Sequence, residues 1–203
     1  MTNIGVLISG RGSNFEAIAR NVAASVIPAR ISLVVSNRPD ARGLDLARKM
    51  GLNARYIPSQ GRTREEFEHD LLAALAEKQV DVICLAGFMR VLSADFVRRF
   101  PQRILNIHPS LLPAFPGIDA QKQALEYGVK FTGCTVHFVD ETVDAGPVIL
   151  QAVVTIEDGD TVETLSERIL REEHRIYTQA LRIVLEERYR IEGRRVLISP
   201  EKN

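Results

Sequence analysis

The chain is poor in cysteine, carries no excess of either charge and has no long apolar run. Only two of its 203 residues, Cys84 and Cys134, are cysteines. Two thiols cannot build a disulfide framework or a four-cysteine zinc site. Both lie in apolar runs, which reads as buried, inert thiols. Lys and Arg together number 26, and so do Asp and Glu, for a net charge of zero. Proteins that engage nucleic acid or a membrane surface generally carry a basic excess, so neither partner is expected. A local phosphate site is still open, because it needs only a few backbone N–H groups and one or two cations. No apolar run approaches the roughly 20 residues that cross a bilayer. The opening MTNIGVLISGRGSN has no basic leader and only a short apolar stretch, so no signal peptide is expected and a reducing cytoplasm fits best. HExxH, CxxC and G-x-S-x-G are all missing, which leaves metal binding and Ser/His/Asp hydrolysis without support.

What is present is 45% hydrophobic and 26% charged, the usage of an ordinary globular domain. With no repeat and no linker, the length argues for one domain. Apolar runs at residues 4–8, 31–35, 80–86 and 103–107 are continuous rather than alternating, as in strands covered on both faces. Between them lie helical patterns at 15–24, 40–50, 63–78 and 92–100, the second opened by Asp40 and the last starting at Ser93, with a short extended piece at 55–57. Strand and helix alternate, which predicts an α/β fold with a mostly parallel, twisted sheet. The second half changes character. A Pro-rich loop at 109–119 precedes a short helix at 120–127 that Gly128 stops. Strands are expected at 133–139 and 147–156. A long helix follows, capped by Asp160 with Glu163 in a capping-box position, and a short strand is expected at 195–199 in the charged tail.

Three places could carry chemistry. SGRGSN at 9–14 sits between a strand and a helix. Gly10 and Gly12 permit a tight turn and a close approach to a ligand. Ser13, Asn14 and the following N–H groups form a helix N-terminus that suits an anion; a plain turn closed by a Ser13–Glu16 capping box fits the same residues. Next, Asn106 and His108 lie two apart at a strand end, so both project to the same side. Pro109 ends the strand there. Ligands of open α/β sheets bind beyond such carboxyl ends, where an amide and an imidazole can stabilise an oxyanion and move a proton. Third, Asp144 in DETVDAGP would favour the imidazolium if it reached His108. Asp140 and Glu141 read as turn residues, and His137, mid-strand, as a hydrogen-bonded core histidine. His69 and His174 read as solvent-facing. The stretch AGFMRVL at 86–92 could wall a flat heteroaromatic ligand or simply connect a strand to a helix.

Taken together these segments resemble the folate-dependent formyltransferase family. The resemblance rests on SGRGSN at 9–14, LAGFMRVLS at 85–93, LNIHPSLLP at 105–113, FPG at 115–117, TGCTVHFVDETVDAGPVILQ at 132–151 and REEHRIY at 171–177. It implies a Rossmann-like N-terminal half with helices on both faces of the sheet, and transfer of the formyl group of 10-formyltetrahydrofolate, as co-substrate, to the amine of glycinamide ribonucleotide in purine synthesis. It implies Asn106, His108 and Asp144 as the catalytic trio. Gly12, Ser13, Asn14 and Glu173 would hold the ribonucleotide. Arg64, Met89, Arg90, Val91, Leu92, Asn106 and the loop Asp140, Glu141, Thr142, Val143, Asp144 would hold the folate. On this reading residues 1–203 form a single domain: 1–100 the phosphate-binding half, 101–190 the catalytic and folate-binding half, and 191–203 a tail. The partners expected are small molecules alone, with no metal, for a monomer or homodimer. Within the family, a formyltetrahydrofolate hydrolase would carry an extra N-terminal domain, a methionyl-tRNA formyltransferase a C-terminal RNA-binding domain, and sugar-nucleotide formyltransferases run longer. None of these extensions is expected here. A non-catalytic nucleotide-binding module would have no use for the trio.

Overall fold

The computed structural model describes residues 1–200 and divides them between two compact units, with the boundary between Leu105 and Asn106. The first unit alternates strand and helix: β1 (Thr2–Ile8), α1 (Ser13–Ala23), β2 (Ala29–Ser36), α2 (Arg42–Lys49), β3 (Ala54–Tyr56), α3 (Arg64–Glu77), β4 (Val82–Leu85) and α4 (Ala94–Arg98). Its strands lie in the order β3-β2-β1-β4 and every pair is parallel. The continuous apolar runs are the reason. Ile4, Val6, Leu7 and Ile8 on β1, and Val82 and Ile83 on β4, are fully buried, so the sheet needs cover on both faces. Phe15, Ile18, Leu44, Phe67 and Leu71 from the helices supply buried apolar surface.

Strand β5 (Ile104–His108) contains the unit boundary. The second unit continues with α5 (Ala120–Tyr127), β6 (Phe131–Phe138), β7 (Val148–Thr155), α6 (Val162–Leu185), β8 (Tyr189–Glu192) and β9 (Arg195–Ile198). Here β6 and β7 are antiparallel, β9 joins β7 in parallel, and β8 pairs antiparallel with β9. Helix α6 packs on β6 and β7 through Leu165, Ile169, Ile176, Tyr177 and Ala180. The expected α/β class with a mostly parallel sheet is what forms. Strand β8 was not expected. Its burial alternates and it is only four residues long, so its place comes from pairing with β9.

Several helix starts differ from expectation. Ala41, not Asp40, is the N-cap of α2, and no side chain caps it. Thr161, not Asp160, caps α6, in a reciprocal capping box closed by Thr164 rather than Glu163. Asp160 instead takes the Arg168 guanidinium on both oxygens at 2.8 Å. Cys84 and Cys134 are buried thiols, as expected. Burial, reinforced by the charges of Glu173 and Glu172, pushes the Cys134 thiol up to about 12. Among the described residues no helix is long and apolar enough to cross a membrane.

Candidate active site

In the first unit the segments singled out follow neighbouring parallel strands. Residues 9–14 follow β1 and residues 86–93 follow β4, so both leave the same, carboxyl end of the sheet. Gly12 is the N-cap of α1 in left-handed conformation, φ 79°, and no side chain caps that helix. The alternative Ser13–Glu16 capping box is therefore not formed. Ser13 is the first helical residue, and Glu16 pairs with Arg20 at 2.5 Å. A Cβ on Gly12 would stand 2.9 Å from the Gly43 Cα, and the Gly43 N–H donates to the Gly10 carbonyl at 3.1 Å. The loop thus rests directly on the first turn of α2, a role for Gly43 that its sequence neighbours did not announce. The N-terminus of α1 is left to its own N–H groups, beginning at Ser13 and the buried Asn14. The Ser9 N–H donates to the Gly87 carbonyl, and the Met89 N–H to the Ser9 hydroxyl at 2.8 Å, tying the two segments together. Met89 and Val91 are exposed, Arg90 is half-buried, and Leu92 turns into the core. Arg64 is exposed in the first turn of α3.

In the second unit Asn106, His108, His137 and Asp144 converge. Asn106 and His108 are alternate residues of β5, and His137 lies on β6. Asp144 sits in the loop before β7 with φ 52°, a left-handed conformation that Asp tolerates. The glycine of DAGP sets that loop's course: a Cβ on Gly146 would run into the Phe138 carbonyl. His108 Nε2 lies 2.8 Å from the Phe115 carbonyl oxygen, and Nδ1 lies 3.4 Å from Asp144 Oδ2. Each ring nitrogen thus has an oxygen of the loop or of Asp144 facing it. The second histidine is held differently. His137 Nδ1 donates to the Phe138 carbonyl at 2.9 Å, leaving Nε2 to accept from Asn106 Nδ2 at 3.2 Å. Burial pushes the His137 pKa down, in keeping with a neutral ring, although the Phe138 carbonyl and Asp144 pull the other way. The bond fixes which end of the Asn106 amide faces His137 and leaves its second N–H for another acceptor.

The Pro-rich loop closes on this group. The Gly117 N–H donates to Asp144 Oδ2 at 2.8 Å, beside the Phe115 contact with His108. The loop is held by Thr135, fully buried on β6. Its hydroxyl donates to the Ser110 carbonyl at 2.7 Å and accepts from the Leu112 N–H and from Gln151. Gln151 also donates to the Leu112 carbonyl. Sequence reading missed Thr135 and Gln151; the available signal was a pair of polar residues inside otherwise apolar strands. Asp140 accepts from the Thr142 N–H, the turn role expected of it. Glu141, Thr142 and Val143 are exposed. Glu173 is buried on α6 at 7% exposure. His174 is not solvent-facing as expected: it is half-buried, with Nε2 inside the protein, because it follows Glu173 on the packed side of α6. His69 is exposed. Among the described residues no three His, Cys, Asp or Glu side chains are grouped to hold a metal.

The chain is similar to known proteins along most of its length. It is 48% identical over 182 residues to the human trifunctional purine biosynthetic protein adenosine-3, covering 89% of this chain but only 18% of that protein. It is 44% identical to the phosphoribosylglycinamide formyltransferase of Escherichia coli, over 86% of this chain and 83% of the other. The crystal structure of glycinamide ribonucleotide transformylase 1 from Symbiobacterium toebii superposes with a TM-score of 0.96 at 53% identity, covering 98% of this chain and 95% of that one. Residues 2–181 match the formyl transferase family, and with the fold in agreement the chain belongs to that family.

Proposed function

We propose that this chain transfers the formyl group of 10-formyltetrahydrofolate to the amine of glycinamide ribonucleotide, a step of purine synthesis. The observation that carries the reading is His108, with an acceptor on each ring nitrogen, standing beside an Asn106 amide whose orientation His137 fixes. That is what an acyl-transfer site needs: donors aimed and charged before the oxyanion forms. The substrate amine attacks the formyl carbon, a C–N bond forms, and the carbonyl oxygen takes up the negative charge. His108 Nε2 and the Asn106 amide donate to that oxygen, which takes the acceptor's place that the Phe115 carbonyl now holds. Asp144 keeps the imidazole charged and helps carry the proton lost by the attacking amine to the folate nitrogen. Collapse of the intermediate breaks the bond from the formyl carbon to that nitrogen.

Gly12, Ser13 and Asn14 hold the ribonucleotide phosphate on the uncapped N-terminus of α1, where N–H groups and the helix dipole favour an anion. Glu173 contacts the same substrate. Met89, Arg90, Val91 and Leu92 and the loop Asp140 to Asp144 hold the folate, with the pterin against backbone. Arg64 meets the folate's carboxylates. A cation in the first turn of a helix opposes the local dipole, so Arg64 serves better as a ligand for an anion than as a support of α3. Residues 1–203 act as one formyltransferase domain in the cytoplasm, where the two thiols stay reduced, with small molecules as its only substrates. The test is deformylation of 10-formyltetrahydrofolate followed by absorbance, with and without glycinamide ribonucleotide. Turnover only with the ribonucleotide is expected. Turnover without it would mark a hydrolase, and silence in both from folded protein would overturn the assigned acceptor.

A further inference from the structure

Residues 87–93 are held from several sides by α3 and the strand ends. The Met89 N–H is bound by Ser9. The Phe88 ring stacks on Phe67 at 6.2 Å, and the Arg90 guanidinium lies over the same Phe67 ring at 5.3 Å. At the far end, the Ser93 N–H donates to Glu68 Oε1 at 2.6 Å and the Ser93 hydroxyl donates to Glu68 Oε2. Glu68 is 6% exposed. A carboxylate is seldom buried to that degree, because desolvating it is costly unless strong hydrogen bonds offset the loss. Capping α4 does not require it: the Ser93 hydroxyl already accepts the Phe96 N–H at 3.1 Å. What Glu68 adds is a second fixed point for the chain. With Ser9 at one end and Glu68 at the other, the backbone between Met89 and Ser93 is set, while Met89 at 71% and Val91 at 51% exposure present an open apolar surface.

We propose that Glu68 is a positioning residue for folate recognition, acting through Ser93 to hold the peptide groups of residues 90–92 in the orientation that receives the pterin. This rests on the assignment of residues 89–92 to the folate. Steady-state kinetics of the whole chain, with each substrate varied in turn, test it. Glu68→Ala is expected to raise the KM for 10-formyltetrahydrofolate roughly tenfold, the size of a lost charge-assisted hydrogen bond, with kcat and the ribonucleotide KM within about twofold. Glu68→Gln keeps the volume and one acceptor and is expected to give a smaller rise of the same kind. A folate KM unchanged in both variants, or an equal loss in all three parameters from folded protein, would overturn the proposal. Should Glu68→Ala not fold, the Gln variant decides on the same criterion. Absence of ribonucleotide-dependent turnover in the unaltered chain would instead overturn the functional reading beneath it.

Discussion

At His108 one imidazole meets two oxygens, the Phe115 carbonyl and the Asp144 carboxylate. The carbonyl only accepts, so Nε2 donates to it, while Nδ1 faces the carboxylate. His137, the penultimate residue of the next strand, has one oxygen and one amide N–H as partners and stays neutral. Two histidines in one group thus hold different places, one between a loop carbonyl and a carboxylate and one as fixed acceptor. Replacing His108 with Ala is expected to lower kcat about 10²–10³-fold while leaving the affinities for ribonucleotide and folate nearly unchanged by calorimetry. A non-catalytic binding module would have no turnover to lose. The residues that project from β5 were legible from their spacing. The partner that orients Asn106 was not, because β5 and β6 are brought side by side by the fold and not by the sequence. The Phe115 carbonyl was invisible for a simpler reason: every residue has one, and only the course of the loop says which is used. Glu68 was hidden because a Glu beside Phe67 on a helix reads as the solvated edge of an apolar face.

Elements that end on strong local signals were read well. Helix α5 stops at Tyr127 because Gly128, at φ 81°, ends it. Helix α3 starts after Thr63 because Thr63 and Glu66 close a capping box. Starts with rival cap residues were misplaced: Asp160 and Thr161 are adjacent, and Asp160 is drawn away by Arg168. The turn from β1 into α1 depends on tertiary fit as well as on local chemistry, since Gly12 must adopt positive φ and also clear Gly43. Gly12→Ala is therefore expected to cost about 1–3 kcal/mol of stability in denaturant unfolding. It should also raise the ribonucleotide KM while leaving the folate KM nearly unchanged. A variant that melts normally and binds the ribonucleotide normally would show that the close approach has no part in the site.

Across the whole molecule the legible part was the alternation that makes the first unit a parallel sheet. The mixed pairing of β7, β9 and β8 was not legible, because four-residue strands carry too little pattern to name their neighbours. Stability against acid follows in part from two groups. The Arg168 fork holds the Asp160 carboxyl well below the usual carboxylate range, whereas in the unfolded chain it titrates near ~3.9. Its stabilisation is complete above that pH and is lost as pH falls further, because the unfolded chain takes up the proton first. His137 acts in the same direction at higher pH: its lowered pKa means that the unfolded chain gains a proton below ~6.5 before the folded one does. Thermal melts are expected to decline in two stages on acidification, the first below about pH 6.5 and the second below about pH 4. Asp160→Asn should melt lower than the unaltered chain near neutrality and shrink only the second stage, to which Asp70, Glu77 and Glu163 also contribute. Identical acid limbs would remove Asp160 from the account.

The two buried thiols have a practical consequence. Cys84 and Cys134 are the whole cysteine content and both have 0% exposure. A maleimide reagent added to the native protein therefore meets almost no background. A single cysteine introduced at the exposed Val153, on a solvent-facing position of β7, would become the one addressable sulfur of the folded chain. A fluorophore or spin label placed there would report on the second unit alone.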